Sequence, residues 1–273
     1  MSTINVAVAG ATGWTGSAIA LAAIDAPDLT LKSAVARRSA GQDLGVALGR
    51  EPLGVPVHAD VGDALTGVDV LVEFTSHEHA KRIALAAIDR GVAPVIGSSG
   101  LTAADFEEID EAARAAGVGA VAAGNFSMTA AMMLAAAELA ARYLGHWEII
   151  DYAKSRKPDA PSGTANELAE RLAEVRAPQT DLAVDQVAGH PEARGATIAG
   201  TQVHSVRVPS FVVSTEVVFG ADDERLSIRH DAGGTAKPYV NGVLLAVRRV
   251  RGHLGLVRGL DRVLLNEPSS GAT

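Results

Sequence analysis

The sequence predicts an α/β protein in which a doubly wound parallel sheet is followed by a second, α+β domain. Short runs rich in β-branched residues alternate with alanine-rich helical stretches through the first half of the chain. This rotation is typical of a parallel sheet covered by helices on both faces. From Trp147 onward, strand-like runs dominate and only one clear helix lies among them, which indicates a different architecture.

The first half alternates strands and helices up to a long apolar helix that breaks the rhythm. The predicted elements are strand Ile4–Ala9, helix Gly16–Ala26, strand Leu29–Ala36, strand Val68–Thr75, helix Glu78–Arg90, strand Ala93–Gly97, helix Ala103–Ala116, strand Val118–Ala123 and helix Thr129–Leu144.

The second half contains four predicted strands and one helix, which are Trp147–Ala153, Ala165–Val175 (the helix), Thr201–Val208, Phe211–Phe219 and Arg225–His230. Short connections join the last three strands, so we expect them to form an antiparallel meander. We therefore predict a first domain at residues 1–126 and a second at 127–235. Residues 236–273 return to helical spacing and are expected to pack back on the first domain.

Composition restricts the classes of partner. The 273 residues carry a net charge of −8 and no cysteine. The charge disfavours nucleic acid and anionic membranes as partners, and the absence of cysteine excludes disulfides and thiolate metal sites. No basic leader or membrane-spanning apolar run is evident, so we expect a cytoplasmic protein that acts on a small molecule.

A glycine-rich segment, Gly10-Ala11-Thr12-Gly13-Trp14-Thr15-Gly16, lies between the first strand and its helix. Glycines here allow the backbone to approach a pyrophosphate, whose charge is met by the amides at the helix N-terminus. Glycine clusters also mark plain turns, but this position favours the dinucleotide-binding loop of a Rossmann-type domain.

The end of the second strand indicates which nicotinamide cofactor is bound. Folds that select NAD place an acidic residue there, whereas this chain has Arg37, Arg38 and Ser39. Two guanidinium groups and a hydroxyl suit a 2′-phosphate, so we predict NADPH rather than NADH. The alternative is a solvated basic turn.

A cationic segment precedes the helix of the second half. It contains Lys154, Arg156 and Lys157, and Thr164-x-x-Glu167 has the pattern of a capping box with Thr164 as N-cap. A helix N-terminus beside Lys157 would form a carboxylate site with Ser162 and the amides of Gly163 and Thr164. The alternative is that Pro-Ser-Gly-Thr only begins a helix.

Five motifs in chain order resemble the dihydrodipicolinate reductase family, which reduces a cyclic imine-type dicarboxylate with NAD(P)H in bacterial lysine synthesis. They are the glycines at 10, 13 and 16, Glu73-Phe74-Thr75, Gly97-Ser98-Ser99-Gly100, Asn125-Phe126-Ser127, and the segment from Lys157 to Ala165. The resemblance implies a Rossmann domain, a substrate domain with an open mixed sheet, and a homotetramer joined through that sheet. It also implies cofactor contacts from Phe74, Thr75, Gly97, Ser98, Ser99, Asn125 and Phe126.

One departure from the family concerns proton donation. The family carries a His-His pair shortly before the signature lysine, and this chain has Ala153 and Lys154 at those positions. We take Lys157, Lys154 and Tyr152 as the candidates to deliver a proton. A cyclic imine basic enough to arrive protonated would not need a dedicated histidine.

These observations support three hypotheses. Because the His pair is replaced, we favour an NADPH-dependent reductase of a different cyclic imine. The alternative is a genuine 4-hydroxy-tetrahydrodipicolinate reductase, and the third is a catalytically silent NADP(H)-binding sensor. No metal site is predicted, because His77 and His79 have no evident third ligand.

Overall fold

The computed structural model describes residues 3–265, which form two compact units. The first unit contains residues 3–128 together with residues 236–265, and the second contains Thr129–Thr235. Residues 266–273 of the tail that we expected to return to the first domain lie outside the described residues. Within residues 3–265, no helix has the length and apolar character needed to cross a membrane.

The first unit is built on a parallel sheet of seven strands. Its strands are β1 (Ile4–Ala9), β2 (Leu29–Val35), β3 (Val57–His58), β4 (Val70–Glu73), β5 (Ala93–Ile96), β6 (Gly119–Ala122) and β12 (Gly255–Arg258). They lie in the order β12-β6-β5-β4-β1-β2-β3, and every neighbouring pair is parallel. The residues of β4, β5 and β6 are all buried, as expected for strands covered on both faces.

The helices of the first unit are α1 (Trp14–Asp25), α2 (Leu44–Ala47), α3 (Val61–Ala64), α4 (His77–Ile88), α5 (Ala103–Ala116), α8 (Lys237–Arg249) and α9 (Leu260–Leu265). Helices α4 and α5 pack against each other, and so do α1 and α8. Small and aliphatic side chains such as Ala7, Leu71 and Ile83 fill the core beside α4. A helix-covered parallel sheet of this kind places the carboxyl ends of β1, β2, β4 and β5 at one edge, where ligands of such folds bind.

The second unit is built on a mixed sheet of five strands. Its strands are β7 (His146–Ala153), β8 (Ala196–Ile198), β9 (Thr201–Arg207), β10 (Val213–Ala221) and β11 (Glu224–Asp231), in the order β11-β10-β7-β9-β8. Helices α6 (Met128–Ala141) and α7 (Gly163–Val175) pack on the sheet face that carries Trp147 and Ile149. Alternate residues of β7, such as Ile150, point to the opposite face and are only half-buried.

The predicted fold class is confirmed, with one error in strand order. The three last predicted strands do not form a meander, because β7 lies between β9 and β10 and is parallel to β9. Only β10 and β11 form the expected antiparallel hairpin. The connection from β7 to β9 contains α7, and a helical crossover of this kind allows parallel pairing that short connections do not.

Candidate active site

Glycines in the loop between β1 and α1 allow the chain to pack closely against its own backbone. Gly10 has a φ of +82°, and a Cβ there would lie 2.2 Å from the Phe74 carbonyl oxygen. A Cβ on Gly16 would lie 2.2 Å from the Gly10 carbonyl oxygen. Helix α1 begins after Gly13 with no side-chain cap and no acidic residue in its first turn. Its positive end is therefore suited to the pyrophosphate of a dinucleotide.

A groove of about 690 Å³ extends from this loop along the end of β2. The glycine loop contributes Gly10, Thr12 and Gly13, and the other walls contain Arg37, Arg38, Phe74, Thr75, His79 and Arg82. None of the described lining residues is acidic. Cationic side chains without a neighbouring carboxylate can hold a phosphate group of a dinucleotide. Ser39 ends the short 3₁₀ turn that carries the two arginines but does not line the groove.

A second, smaller hollow of about 400 Å³ adjoins the same loop. Its lining includes Gly13, Trp14, Thr15, Phe74, Thr75, Gly97, Ser98 and Ser99. A Cβ on Gly97 would lie 2.1 Å from the Phe74 ring, so a side chain at this position would displace that ring. Most of the predicted cofactor residues therefore line two adjacent hollows of the first unit.

Asn125 and Phe126 occupy a different place from the other predicted cofactor residues. Both are buried, and neither lines the two hollows. The Phe126 ring packs 5.9 Å from the Phe74 ring, and Asn125 Oδ1 accepts a hydrogen bond from the Ser127 amide at 2.8 Å. In the described structure Phe126 packs against Phe74 from within the core, and Asn125 holds the turn that follows it.

Glu73 ends β4 and is fully buried behind this site. Its Oε1 accepts hydrogen bonds from the Thr75 amide at 2.7 Å, from Thr75 Oγ1 at 2.5 Å and from Ser98 Oγ at 3.0 Å. Its Oε2 has no partner among the described residues. Burial raises the pKa of Glu73 above its ordinary value, although the three hydrogen bonds oppose this shift. Glu73 therefore ties together the two turns that line the smaller hollow.

The cationic segment of the second unit forms a turn before α7. The Lys157 amide donates to the Lys154 carbonyl at 3.0 Å, and the Lys157 ammonium is paired with the Asp159 carboxylate. The Lys157 side chain is 19% exposed, whereas Lys154 is exposed to solvent. Lys157 is thus the more enclosed of the two predicted catalytic lysines, and a substrate carboxylate would meet its ammonium beside Asp159.

Helix α7 begins two residues earlier than the capping-box prediction required. Ser162 is the N-cap, and its Oγ accepts a hydrogen bond from the Ala165 amide at 3.4 Å. The prediction that Thr164 caps the helix is therefore wrong, and Thr164 lies in the first turn together with Gly163. The physical reason is tertiary, because the Asp151 carboxylate accepts the Ser162 amide at 2.9 Å and holds Ser162 in an extended conformation.

Tyr152 is not brought together with Lys157. Its hydroxyl donates to Glu216 at 3.2 Å, and the Arg229 guanidinium lies 4.8 Å from its ring centre. Because side chains alternate along β7, Tyr152 points away from the face on which Asp151 and Ala153 are buried. Burial and the nearby Glu216 raise the pKa of Tyr152. Its predicted role as a proton donor has no support in this geometry.

Four residues near these sites were not among the site residues predicted from the sequence. His79 and Arg82 line the larger groove from α4, one helical turn apart, and a search for cations at that spacing would have found them. Asp151 and Arg207 form an ion pair beneath the Lys157 turn, and they are brought together by the pairing of β7 with β9, which no local pattern reveals. Within residues 3–265, no group of three or more His, Cys, Asp or Glu residues could hold a metal ion.

Two family models match almost the whole chain. The model described as dihydrodipicolinate reductase, N-terminus, matches residues 4–126, and the model of the C-terminus matches residues 129–264. The chain belongs to the dihydrodipicolinate reductase family. Assignment to the dihydrodipicolinate reductase family from sequence motifs is thereby confirmed.

Members of the dihydrodipicolinate reductase family match this chain in sequence along nearly its full length. The 4-hydroxy-tetrahydrodipicolinate reductase of Moorella thermoacetica is 40% identical over 268 residues, which cover 97% of this chain and 99% of the relative. The enzyme of the same name from Synechococcus elongatus is 40% identical over 270 residues, which cover 96% and 98%. The predicted enzyme class is also confirmed: the chain is an NAD(P)H-dependent oxidoreductase that acts on a C=N bond.

Solved structures of other proteins share the fold. A dipicolinate-bound dihydrodipicolinate reductase from Paenisporosarcina sp. TG-14 has a TM-score of 0.77 and 27% identity, with 95% of this chain and 99% of that chain covered. An amine dehydrogenase from Mycobacterium smegmatis has a TM-score of 0.67 at 18% identity, with 96% of each chain covered, and shows the fold alone.

Proposed function

We propose that this chain is a 4-hydroxy-tetrahydrodipicolinate reductase that uses NADPH. The observation that carries the proposal is the Lys157 turn at the N-terminus of α7, in a chain 40% identical over its length to enzymes of that name. The names of the relatives favour this alternative over a reductase of a different cyclic imine, which we favoured from the sequence because the family His pair is replaced.

Lys157 and the first amides of α7 would bind and orient one carboxylate of the substrate. An ammonium and a helix N-terminus both favour an anion, and together they fix its direction. The structural relative bound to dipicolinate, an aromatic dicarboxylate, supports a dicarboxylate ligand for this family. A substrate carboxylate would share or replace Asp159 on the Lys157 ammonium.

The glycine loop, Phe74, Thr75 and the Gly97-Ser98-Ser99 turn would hold the cofactor, which when bound supplies the hydride for the imine carbon. Reduction also requires a proton on the imine nitrogen. The position of the first family histidine is the buried Ala153, so that residue cannot donate one. We propose that the imine arrives as the iminium ion or takes the proton from the Lys157 or Lys154 ammonium.

The substrate is tested by NADPH oxidation against a panel of cyclic imines that includes 4-hydroxy-tetrahydrodipicolinate and monocarboxylate imines. We expect the highest kcat/KM for the dicarboxylate. A markedly higher kcat/KM for a monocarboxylate imine would favour the reductase of a different imine. NADPH binding without turnover of any imine would favour the silent sensor.

The preference for NADPH rests on Arg37 and Arg38, which line the groove at the end of β2. Replacing both with alanine should weaken NADPH binding by about 1.5–3 kcal/mol for each charge-assisted hydrogen bond to the 2′-phosphate and leave NADH binding nearly unchanged. Titration calorimetry with both cofactors measures this, and Arg90→Ala, at an exposed position outside the lining, is the control. Equal affinity of the wild type for both cofactors would contradict the NADPH assignment.

A further inference from the structure

A buried ion pair lies beneath the Lys157 turn of the second unit. Arg207 at the end of β9 donates from its Nη2 to Asp151 Oδ2 on β7 at 2.6 Å. The Asp151 side chain is 0% exposed and that of Arg207 is 16% exposed. The pair is fixed to the sheet, because Arg207 Nη1 also donates to the carbonyls of Asp151 and Val206 at 3.1 and 3.0 Å.

The same two side chains hold both ends of the turn. Arg207 Nη2 donates to the Asp159 carbonyl at 2.9 Å, and Asp159 is the residue whose carboxylate pairs with Lys157. Asp151 Oδ2 accepts the amide of Ser162, the N-cap of α7, at 2.9 Å. Arg207 and Asp151 therefore connect the Lys157 end of the turn to the helix end through two side chains that contact each other.

Stability alone does not account for this pair. Two charges taken out of water lose hydration that their mutual attraction offsets only in part, so an apolar pair of similar volume is often as stable. The pairing is also incomplete, because Asp151 Oδ1 and Arg207 Nε are buried without a hydrogen-bond partner among the described residues. Unlike an apolar pair, these two side chains form hydrogen bonds to the Asp159 carbonyl and the Ser162 amide, in addition to those within the sheet.

We propose that Asp151 and Arg207 are positioning residues that set the place of the Lys157 ammonium relative to the first amides of α7. With the turn held at both ends, the ammonium and the amides can bind one carboxylate together. Without the pair, the Lys157 ammonium and the α7 amides could each still attract an anion, but they would not be held in the positions needed to bind the same carboxylate. The inference rests on the proposed function, since it assumes that this turn binds a carboxylate of the substrate.

The test uses Arg207→Ala in the full-length protein, with pyridine-2,6-dicarboxylate as the probe for the carboxylate site. A displacement of a substrate-positioning group by about 1 Å reduces the rate on the order of a hundredfold. We therefore expect kcat/KM for the dicarboxylate imine to fall by about a hundredfold and the Kd of the probe to rise at least about tenfold. NADPH affinity should stay at the wild-type value, because its predicted binding residues belong to the first unit.

Two comparisons separate positioning from a general loss of stability. Millimolar guanidinium, well below denaturing concentrations, should restore part of the probe affinity of Arg207→Ala, because it can reoccupy the same site. Arg207→Lys keeps the charge but cannot make all of these bonds, so it should also weaken the probe. The matched control is Arg171→Lys, which alters a 2% exposed arginine on α7 that is paired with Glu138 and Glu167. It should lower the melting temperature and leave probe binding intact.

Hydrogen–deuterium exchange of the peptide spanning residues 155–165 gives a readout that needs no ligand. Faster exchange in Arg207→Ala or Arg207→Lys than in Arg171→Lys supports the proposal, and equal exchange overturns it. Wild-type affinity for the probe in folded Arg207→Ala or Arg207→Lys also overturns it. If the wild type neither binds the probe nor reduces the dicarboxylate, the proposed function fails, and the exchange experiment still decides the positioning role.

Discussion

At the scale of single residues, the substrate site that we propose in the second unit depends on a few side chains. Lys157 lies in the turn that precedes α7, and Ser162 and Thr164 at the start of that helix are buried. Lys154 lies one turn earlier and is exposed. The two lysines therefore differ in their surroundings, and their roles can be separated by substitution.

Lys157→Met is expected to reduce kcat/KM for the imine substrate by at least about a hundredfold, because it removes a preorganised charge that faces the substrate carboxylate. If Lys157 were only a surface lysine, its substitution would change the free energy of unfolding by no more than about 0.5 kcal/mol and leave turnover unchanged. Steady-state kinetics and NADPH titration measure the two effects, and NADPH affinity should not change. Lys154→Ala is the comparison: an equal reduction there would assign it proton donation, and unchanged activity at both lysines would contradict the proposed site.

Glu73 has a raised pKa, which gives a pH dependence with a defined sign. The folded protein binds the Glu73 proton more tightly than the unfolded chain does, so the free energy of unfolding falls as the pH rises above the ordinary value of 4.5. Glu73→Gln removes this dependence. The free energy of unfolding of Glu73→Gln relative to the wild type should therefore increase with pH.

Urea denaturation of both proteins between about pH 4.5 and 7.5 measures this difference. The control is Glu111→Gln, which alters an exposed carboxylate on α5 and should show no such trend. A difference that stays constant or decreases with pH would contradict a raised pKa at Glu73.

At the scale of elements, strand β7 divides the second unit into two faces with different roles. Asp151 and Ala153 lie on the face covered by helices, and Glu148, Ile150 and Tyr152 lie on the other. The turn that we propose binds a carboxylate is attached to the covered face through Asp151. Residues on the open face should therefore contribute little to the chemistry, although they follow one another in the sequence.

Tyr152→Phe tests this division. Its hydroxyl is bonded to Glu216 on the open face, so we expect kcat/KM to stay within about threefold of the wild type and the stability to fall by about 0.5–1.5 kcal/mol, the typical net contribution of one hydrogen bond. Kinetics and thermal denaturation provide the two measurements. A loss of activity comparable with that of Lys157→Met would restore Tyr152 as a candidate proton donor.

At the scale of the whole molecule, the open face of the second sheet predicts self-association. It carries a hollow of about 860 Å³ whose lining includes Ile150, Tyr152, Val206 and Val218. An uncovered sheet face with apolar residues is typical of an interaction surface, and the family resemblance implies a homotetramer joined through this sheet. We propose that the face joins copies of this chain.

Val218→Lys is expected to weaken this association, because it places a charge in the predicted interface. The isolated chain should tolerate it, since Val218 lies opposite Glu148 in the strand pairing. Light scattering at micromolar concentration should show a tetramer for the wild type and smaller species for the variant. Ala221→Lys, at the exposed end of β10, is the control and should remain tetrameric. A monomeric wild type would contradict the prediction.

The sequence by itself determined the fold class, the family and most of the residues that line the two hollows of the first unit. These features depend on local patterns: strand and helix periodicity, glycines at a strand-to-helix turn, and short motifs in a fixed order. The glycine loop and the Gly97-Ser98-Ser99 turn are each a contiguous run of residues, so a sequence motif contains the residues of each run that line the smaller hollow.

Only the tertiary structure decided the order of the second sheet, the start of α7 and the contacts of Tyr152, Asp151 and Arg207. Each depends on which strands become neighbours, and strand pairing brings together residues far apart in the chain. Thr164 has a local capping pattern, yet the Asp151 carboxylate holds the Ser162 amide and moves the helix start. Tyr152 and Asp151 are adjacent in sequence but lie on opposite faces, because successive side chains of a strand alternate. A local pattern describes what a segment can form, and the interactions with distant segments decide which of those possibilities has the lowest free energy.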